Sequence, residues 1–312
     1  MTGSTSKEGS PSPLSSIKYQ NKIGNRKTLE SEYSNENVIL RTLIFQPLKF
    51  MLTNLIKVSK SKPRHVSFIM DGNRRFAKNM KIEVKQSHDI GFLTMCKILN
   101  LLYDCGVRTV TVFAFSIENF SRSEAEIENL MKLAKKRLVQ LTDNTDMCNK
   151  YGVRVKVLGD KKLLDEELQD MVRYIEAETA ENNTSLLNIC FPYTGRWEIF
   201  ASMKQTIIDY KAGKLDDISI DTIDEYIYNH GNSAIGPVDW SEVGPLDLLI
   251  RTSGVKRLSD YQLWQMDSND KRENSEQNTQ KRRMQFEFLK VLWPDLTIWR
   301  VMWILICYCY NH

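Results

Sequence analysis

From His65 onward the chain alternates between short apolar runs and longer stretches with apolar residues at helical spacing. "HVSFIM" (65–70), "TVTVFAFS" (109–116), "VRVKVLGD" (153–160), "LLNICF" (186–191) and "LDLLIRTSG" (246–254) read as strands, with "FEFLKVLW" (286–293) as a last one. Helical stretches fill the chain up to Asp104, then 123–144, 163–182 and 195–213, the last ended by Gly213. Ser123 and Glu126 open the first of these three as a capping box. An apolar helix closes the chain at 297–310. Alternation with nearly continuous apolar strands predicts a single α/β domain, with a central, mostly parallel β-sheet flanked by helices. No internal repeat is visible.

Ligands of such sheets bind beyond the carboxyl ends of the strands, and three strand ends carry chemistry. "IMDGNRR" leaves its strand through Gly72, which lets backbone N–H groups face a ligand, and the helix N-terminus that follows favours anions. Arg74 and Arg75 add forked donors suited to phosphate. Asp71 would repel phosphate unless it holds Mg²⁺ that the phosphates share. An ordinary turn, with Asp71 as a cap and the arginines solvated, uses the same residues.

"FSIENFSR" offers Ser116, Glu118, Asn119 and Arg122 where a substrate edge would lie, with Phe115 and Phe120 as apolar wall. The bland alternative is a loop whose Ser and Asn satisfy local backbone. "RTSGVKRLSDYQLWQ" places Arg251, Lys256, Arg257 and Ser259 after a strand and a Gly, a second phosphate cradle in composition. His88 is either a further phosphate donor or a structural histidine. Two cationic strand ends and one acid suggest two anionic groups bound side by side with one metal. No GxxxxGK[ST] sequence occurs, which argues against a P-loop.

The formal charge of +4 is too mild to argue for nucleic acid. Six cysteines without a CxxC read as reduced, buried thiols of a cytosol-facing protein, and with four histidines they make no zinc site. Residues 1–37 are polar and read as a disordered tail. Residues 38–60 are apolar but interrupted by Arg41, Gln46 and Lys49, and Pro47 would kink or split a helix there. This segment is either an interfacial helix on an anionic leaflet or a helix docked on the protein's own surface. The polar stretch 266–285 reads as a surface insertion, with Lys281–Arg283 as an alternative docking patch.

"HVSFIMDGNRRFAKN", "FAFSIENFSR", "LNICFPYTGR" and "LLIRTSGVKRLSDYQLWQ…VLWPD" together resemble the motifs of the cis-prenyltransferases, in the family's order, over about residues 63–305. The eukaryotic, dolichol-type branch, and within it the yeast enzymes, is the nearest in pattern. The resemblance implies successive condensation of farnesyl diphosphate with isopentenyl diphosphate in cis geometry, with Mg²⁺ as cofactor. It makes Asp71 the metal- and diphosphate-handling acid, and Gly72, Asn73, Arg74, Arg75 and Phe76 the loop for the allylic diphosphate, with His88 beside it. Ser116, Glu118, Asn119, Phe120 and Arg122 match the substrate loop, Asn119 assisting proton removal. Arg251, Arg257 and Ser259 match the isopentenyl diphosphate pocket. "GFLTMCKILNLLYD" (91–104) and "IENLMKLAKKRLVQL" (127–141) are candidate walls for the growing chain, or plain core.

The chain departs from the pattern at Val84, where many members have Arg, and at Ser87, where Gly is usual. Glu287 is offset from the position of the metal-binding Glu of bacterial members. The resemblance therefore implies a heteromer with a divergent, non-catalytic homologue that completes the site. It also implies peripheral membrane contact at the cytosolic face of the endoplasmic reticulum or on lipid droplets, and a product destined for dolichol and protein glycosylation. A regulatory subunit without chemistry is the alternative, but such subunits lose the acid and arginines of the first motif, which this chain retains.

Overall fold

The computed structural model describes residues 45–143, 145–227, 246–267 and 284–312. The tail 1–37, residues 38–44 and most of the polar stretch 266–285, including Lys281–Arg283, lie outside the described residues. The chain divides into units Met1–Phe50 and Met51–His312, and the second carries the sheet.

Six strands form that sheet: β1 (His65–Ile69), β2 (Thr109–Phe113), β3 (Val153–Leu158), β4 (Ser185–Cys190), β5 (Leu248–Arg251) and β6 (Gln285–Phe288). Their order is β3-β4-β2-β1-β5-β6, and every pairing is parallel. The helices are α1 (Gln46–Val58), α2 (Asn73–Met80), α3 (Val84–Asp104), α4 (Glu124–Asp143), α5 (Thr145–Tyr151), α6 (Glu166–Glu178), α7 (Gly195–Lys211), α8 (Ile220–Glu225), α9 (Leu263–Asp267) and α10 (Ile298–Asn311).

The inner strands are buried on both faces, which is why β1 reads as one apolar run rather than an alternation. β3 alternates buried Val153, Val155 and Val157 with half-buried Arg154, Lys156 and Leu158, as an edge strand does. Val66 and Phe68 of β1 enter the main apolar core with Ile98, Leu99, Leu102, Val172 and Leu305. Ile69 joins a smaller cluster on the other face with Cys190, Tyr193, Leu249 and Tyr261. That face is partly polar. His65 Nε2 and Thr111 Oγ1 lie 2.7 Å apart, and Ser67 Oγ meets Tyr261 Oη at 2.7 Å.

Several boundaries move. β2 ends at Phe113 because the amides of Ala114 and Phe115 both turn to the Cys190 carbonyl, and the chain then curls into a 3₁₀ turn at Ile117–Ser121. The expected capping box at 123/126 gives Glu126 another job: its carboxylate takes Arg122. Pro47 stands in the first turn of α1, where its missing N–H costs nothing. Within α1, Thr53 and Ile56 are buried and Leu52 packs on the core, while Met51, Leu55 and Val58 are 58%, 59% and 76% exposed. From Met51 onward the helix thus turns one side into its own unit and keeps an outward apolar stripe. Cys105, Cys148 and Cys190 are buried free thiols; Cys96, Cys307 and Cys309 are only half-buried, against the expectation.

Candidate active site

The parallel register brings the ends of β1 and β5 side by side, with Ile69 opposite Arg251. Beyond Ile69 the chain turns at Gly72, whose φ of +115° suits glycine. A Cβ there would lie 2.9 Å from Leu292 Cδ2 and 3.1 Å from Leu292 Cα. The turn is held from both sides, since the Asp71 carbonyl accepts from Trp293 N at 3.0 Å and from Thr252 Oγ1 at 2.6 Å. α2 then begins at Asn73 and points its free backbone N–H groups back toward the turn.

Asp71 and Arg251 meet in this crevice. Arg251 Nη2 donates to Asp71 Oδ2 at 3.0 Å, and Nη1 donates to Ser259 Oγ at 2.9 Å and to the Arg257 carbonyl. Arg251 is only 3% exposed, and its buried Nε has no partner. Burial alone would raise the Asp71 carboxyl; hydrogen bonding and the charges of Arg251 and Arg75 outweigh it, leaving the group below its usual range. The sequence reading made Arg251 a direct diphosphate ligand. Its engaged η-nitrogens make it first a hub joining Asp71 to the loop that carries Arg257 and Ser259. Arg75, Lys256 and Arg257 are exposed.

A second cluster forms where α2, α3 and α4 approach. Arg122 Nη1 donates to Glu126 Oε1 at 2.7 Å and Nη2 to Asn119 Oδ1 at 3.0 Å, while Arg74 Nη1 stands 3.7 Å from Glu126 Oε1. Half-buried His88 is held below its ordinary pKa by burial and then by Arg137, with Asp89 opposing and Arg122 and Arg74 adding to the effect. Arg137 pairs with Asp89 and lies 4.5 Å from the Phe92 ring centroid. Ser116 caps the 3₁₀ turn, accepting from Glu118 N at 3.2 Å, so part of the bland reading of this loop holds. Phe120 packs edge-on against Phe115 at 5.1 Å, and Phe76 is buried.

Asn73 Nδ2 reaches the Met70 carbonyl at 3.3 Å, and its buried Oδ1 has no partner. Ser87 Oγ donates to the Asn73 carbonyl at 2.7 Å. The departure from glycine at 87 is therefore a tie between α2 and α3.

Three residues join the site without a site role in the sequence pattern: Arg196 and Asp260, which lie inside the motifs, and Glu126, which reads as a helix cap. Arg196 Nη2 donates to Glu118 Oε1 at 3.0 Å, and its Nε donates to Asp260 Oδ2 at 2.7 Å. The signal was present in "TGRW" after β4, a cap followed by a lone Arg, but its partners are remote in sequence.

Among the described residues no group of three or more His, Cys, Asp or Glu could cage a metal ion. Asp71, one-third exposed beside cationic donors, fits a Mg²⁺ held by one carboxylate and completed by substrate phosphates. Glu287 sits on β6 opposite Ile250, and its Oε1 takes Gln285 Nε2 at 2.7 Å.

A parallel α/β sheet here brings an acid, a Gly turn and two sets of arginines to its strand ends, a charge pattern suited to anions. The undecaprenyl diphosphate synthase (Prenyltransf) family model matches residues 69–312. A dehydrodolichyl diphosphate synthase complex subunit of Schizosaccharomyces pombe is 38% identical over 262 residues, 84% of this chain and 90% of that protein. The human dehydrodolichyl diphosphate synthase complex subunit is 36% identical, covering 83% of this chain and 70% of that one. The crystal structure of lavandulyl diphosphate synthase from Lavandula x intermedia, in complex with dimethylallyl diphosphate, superposes with a TM-score of 0.66 at 26% identity, over 81% of this chain and 98% of that one. This chain belongs to the cis-prenyltransferase family, the prenyl diphosphate synthases, and its class of reaction is the elongation of prenyl chains in cis.

Proposed function

We propose that this chain is the catalytic subunit of a dehydrodolichyl diphosphate synthase. It condenses farnesyl diphosphate with successive isopentenyl diphosphates to make a long-chain polyprenyl diphosphate. The observation that carries the reading is the retained Asp71, flanked by Arg74 and Arg75 and tied through Arg251 to Ser259 in one crevice. A regulatory subunit has no use for this constellation.

The amides opening α2, with Arg74 and Arg75, grip the allylic diphosphate. Arg257 and Ser259 receive the isopentenyl diphosphate on the neighbouring loop. Asp71 would hold Mg²⁺ together with the substrate phosphates, and the ion would neutralise charge on the departing diphosphate. The allylic C–O bond breaks as the isopentenyl double bond attacks the allylic carbon, and the proton lost from the new unit passes to the released diphosphate. With Oδ1 accepting from Arg122, Asn119 offers its amide N–H₂ as a donor that orients that diphosphate rather than as the base. Fixing both substrates at adjacent strand ends supplies much of the remaining rate. Half-buried Phe92, Leu130, Met131 and Ala134, on α3 and α4, pack against the core and are the apolar wall this reading assigns to the growing chain.

The relatives' names as complex subunits support a heteromer with a non-catalytic, homologous subunit. Among the described residues no helix is long and apolar enough to cross a membrane. The exposed stripe of α1 supports peripheral contact, at the cytosolic face of the endoplasmic reticulum, for a lipid product feeding glycosylation.

The test is incorporation of labelled isopentenyl diphosphate with farnesyl diphosphate and Mg²⁺, with and without the partner subunit. Incorporation should require Asp71. An Asp71→Ala chain that keeps full activity in the complex would show that the chemistry resides in the other subunit.

A further inference from the structure

The loop that carries Arg257 and Ser259 is backbone-strained. Ser259, Asp260 and Gln262 have φ of +54°, +55° and +46°, a region costly for side-chain-bearing residues. Such a segment persists only where its surroundings hold it. Here the holding group is the start of α7. Gly195 N donates to the Asp260 carbonyl at 2.7 Å, Arg196 N donates to Asp260 Oδ1 at 3.0 Å, and Arg196 Nε donates to Asp260 Oδ2 at 2.7 Å. One aspartate, 64 residues away in sequence, thus takes two backbone N–H groups of the helix and one guanidinium N–H.

The same guanidinium spends its Nη2 on Glu118 Oε1 at 3.0 Å, in the 3₁₀ turn that carries Asn119 and follows β2. The contacts continue from Ser259 Oγ to Arg251 and from Arg251 to Asp71. A chain of polar contacts therefore runs Glu118–Arg196–Asp260, then through the adjoining Ser259 to Arg251 and Asp71. It links the ends of β2, β4, β5 and β1. Arg196 is its most exposed member, 71% accessible, whereas the Asp260 side chain is 9% accessible. As a surface ion pair Arg196 would be worth little stability. Its geometry matters more than its energy, because the forked guanidinium fixes the spacing of two loops.

We propose that Arg196, acting with Asp260, is a positioning residue that sets the distance between the isopentenyl diphosphate loop and the turn bearing Asn119. The inference rests on the proposed function and assigns to the site a residue outside both cradles. Lysine at 196 can still pair with Asp260 but cannot fork to Glu118 as well.

The test uses the full chain co-expressed with its partner subunit, in wild-type, Arg196→Gln, Arg196→Lys, Asp260→Asn and double Arg196→Gln/Asp260→Asn forms. Steady-state incorporation gives kcat and the two KM values, and calorimetry gives isopentenyl diphosphate binding directly. Arg196→Gln should raise KM for isopentenyl diphosphate about tenfold and leave KM for the allylic substrate within about twofold. Arg196→Lys should recover part of the loss, and the double variant should be no worse than the poorer single one. Melting temperature should stay within about 2 °C of wild type. An active wild type whose Arg196→Gln form keeps both KM values overturns the inference, as does a loss that Lys does not rescue and that tracks melting temperature. A wild type that is inactive yet binds isopentenyl diphosphate, with binding lost in Arg196→Gln, defeats the catalytic reading and sustains this one. Equal binding by the two forms overturns it.

Discussion

Arg251 Nη2 donates to Asp71 Oδ2 at 3.0 Å, across the paired ends of β5 and β1. The arginine is buried and the aspartate half-buried, so each neutralises a charge the other would leave stranded. Removing one partner of such a pair costs far more than the pair contributes net. Arg251→Gln should destabilise the protein by about 2 kcal/mol, discounted for the exposure of Asp71, and abolish incorporation. The Asp71 carboxyl lies below its usual range, so its stabilisation is present above the unfolded-state pKa and is lost as pH falls through the depressed folded value. Acid unfolding curves should show this limb in wild type and a flatter one in Arg251→Gln.

Glu198, in the first turn of α7, is buried with its Oε2 taking Tyr193 Oη at 2.7 Å and Gln265 Nε2 at 2.9 Å. Burial pushes its carboxyl up to about 7, against the hydrogen bonds from Gln265 and Tyr193 that lower it. Between the ordinary Glu value and about 7 the folded state holds a proton that the unfolded state has released. Stability must therefore fall as pH rises through that window, by about 3 kcal/mol at most. Glu198→Gln keeps an acceptor for both neighbours and removes the titration. Thermal melts from pH 5 to about 8 should slope downward for wild type and be flatter for the variant.

Gly72 is required twice, by its φ of +115° and by Leu292 at its back. Gly72→Ala should cost about 1–3 kcal/mol in stability and displace Asp71 from Arg251. Trimming Leu292 to Ala in the same chain removes the Cδ2 contact but neither the Cα and Cβ contacts nor the backbone strain, so it should restore little of the activity. Full rescue by that second change would mean that the Cδ2 contact alone made the site glycine.

The outward stripe of α1 offers a separate test. Met51, Leu55 and Val58 touch water in the domain as it stands, so charged replacements leave the core intact. Leu55→Glu/Val58→Glu should lose co-sedimentation with anionic vesicles while keeping incorporation in detergent. Unchanged sedimentation would move the membrane contact elsewhere.

The alternation of strands and helices was legible because each inner strand is buried on both faces and so reads as an apolar run, as "HVSFI" does. Strand ends were less legible. β2 stops at Phe113 because the Cys190 carbonyl, 77 residues on, captures the next two amides. Glu126 looked like a cap and became the counter-ion of Arg122, since what faces a carboxylate depends on neighbouring elements.

Residue type and spacing alone therefore picked out the groups of the candidate site: Asp71, the paired arginines, the Gly turn and the hydroxyls after β5. Those follow from local rules, in which a glycine after a strand opens backbone N–H groups and arginines beside it seek anions. Only the tertiary structure decided what each of them touches. Arg251 turned out to hold Asp71, and Arg196, given no role of its own in the linear pattern, came to span two loops. Hydrogen bonds act over about 3 Å, and which side chains come within that reach is set by parallel strand order, which no stretch of neighbouring residues encodes.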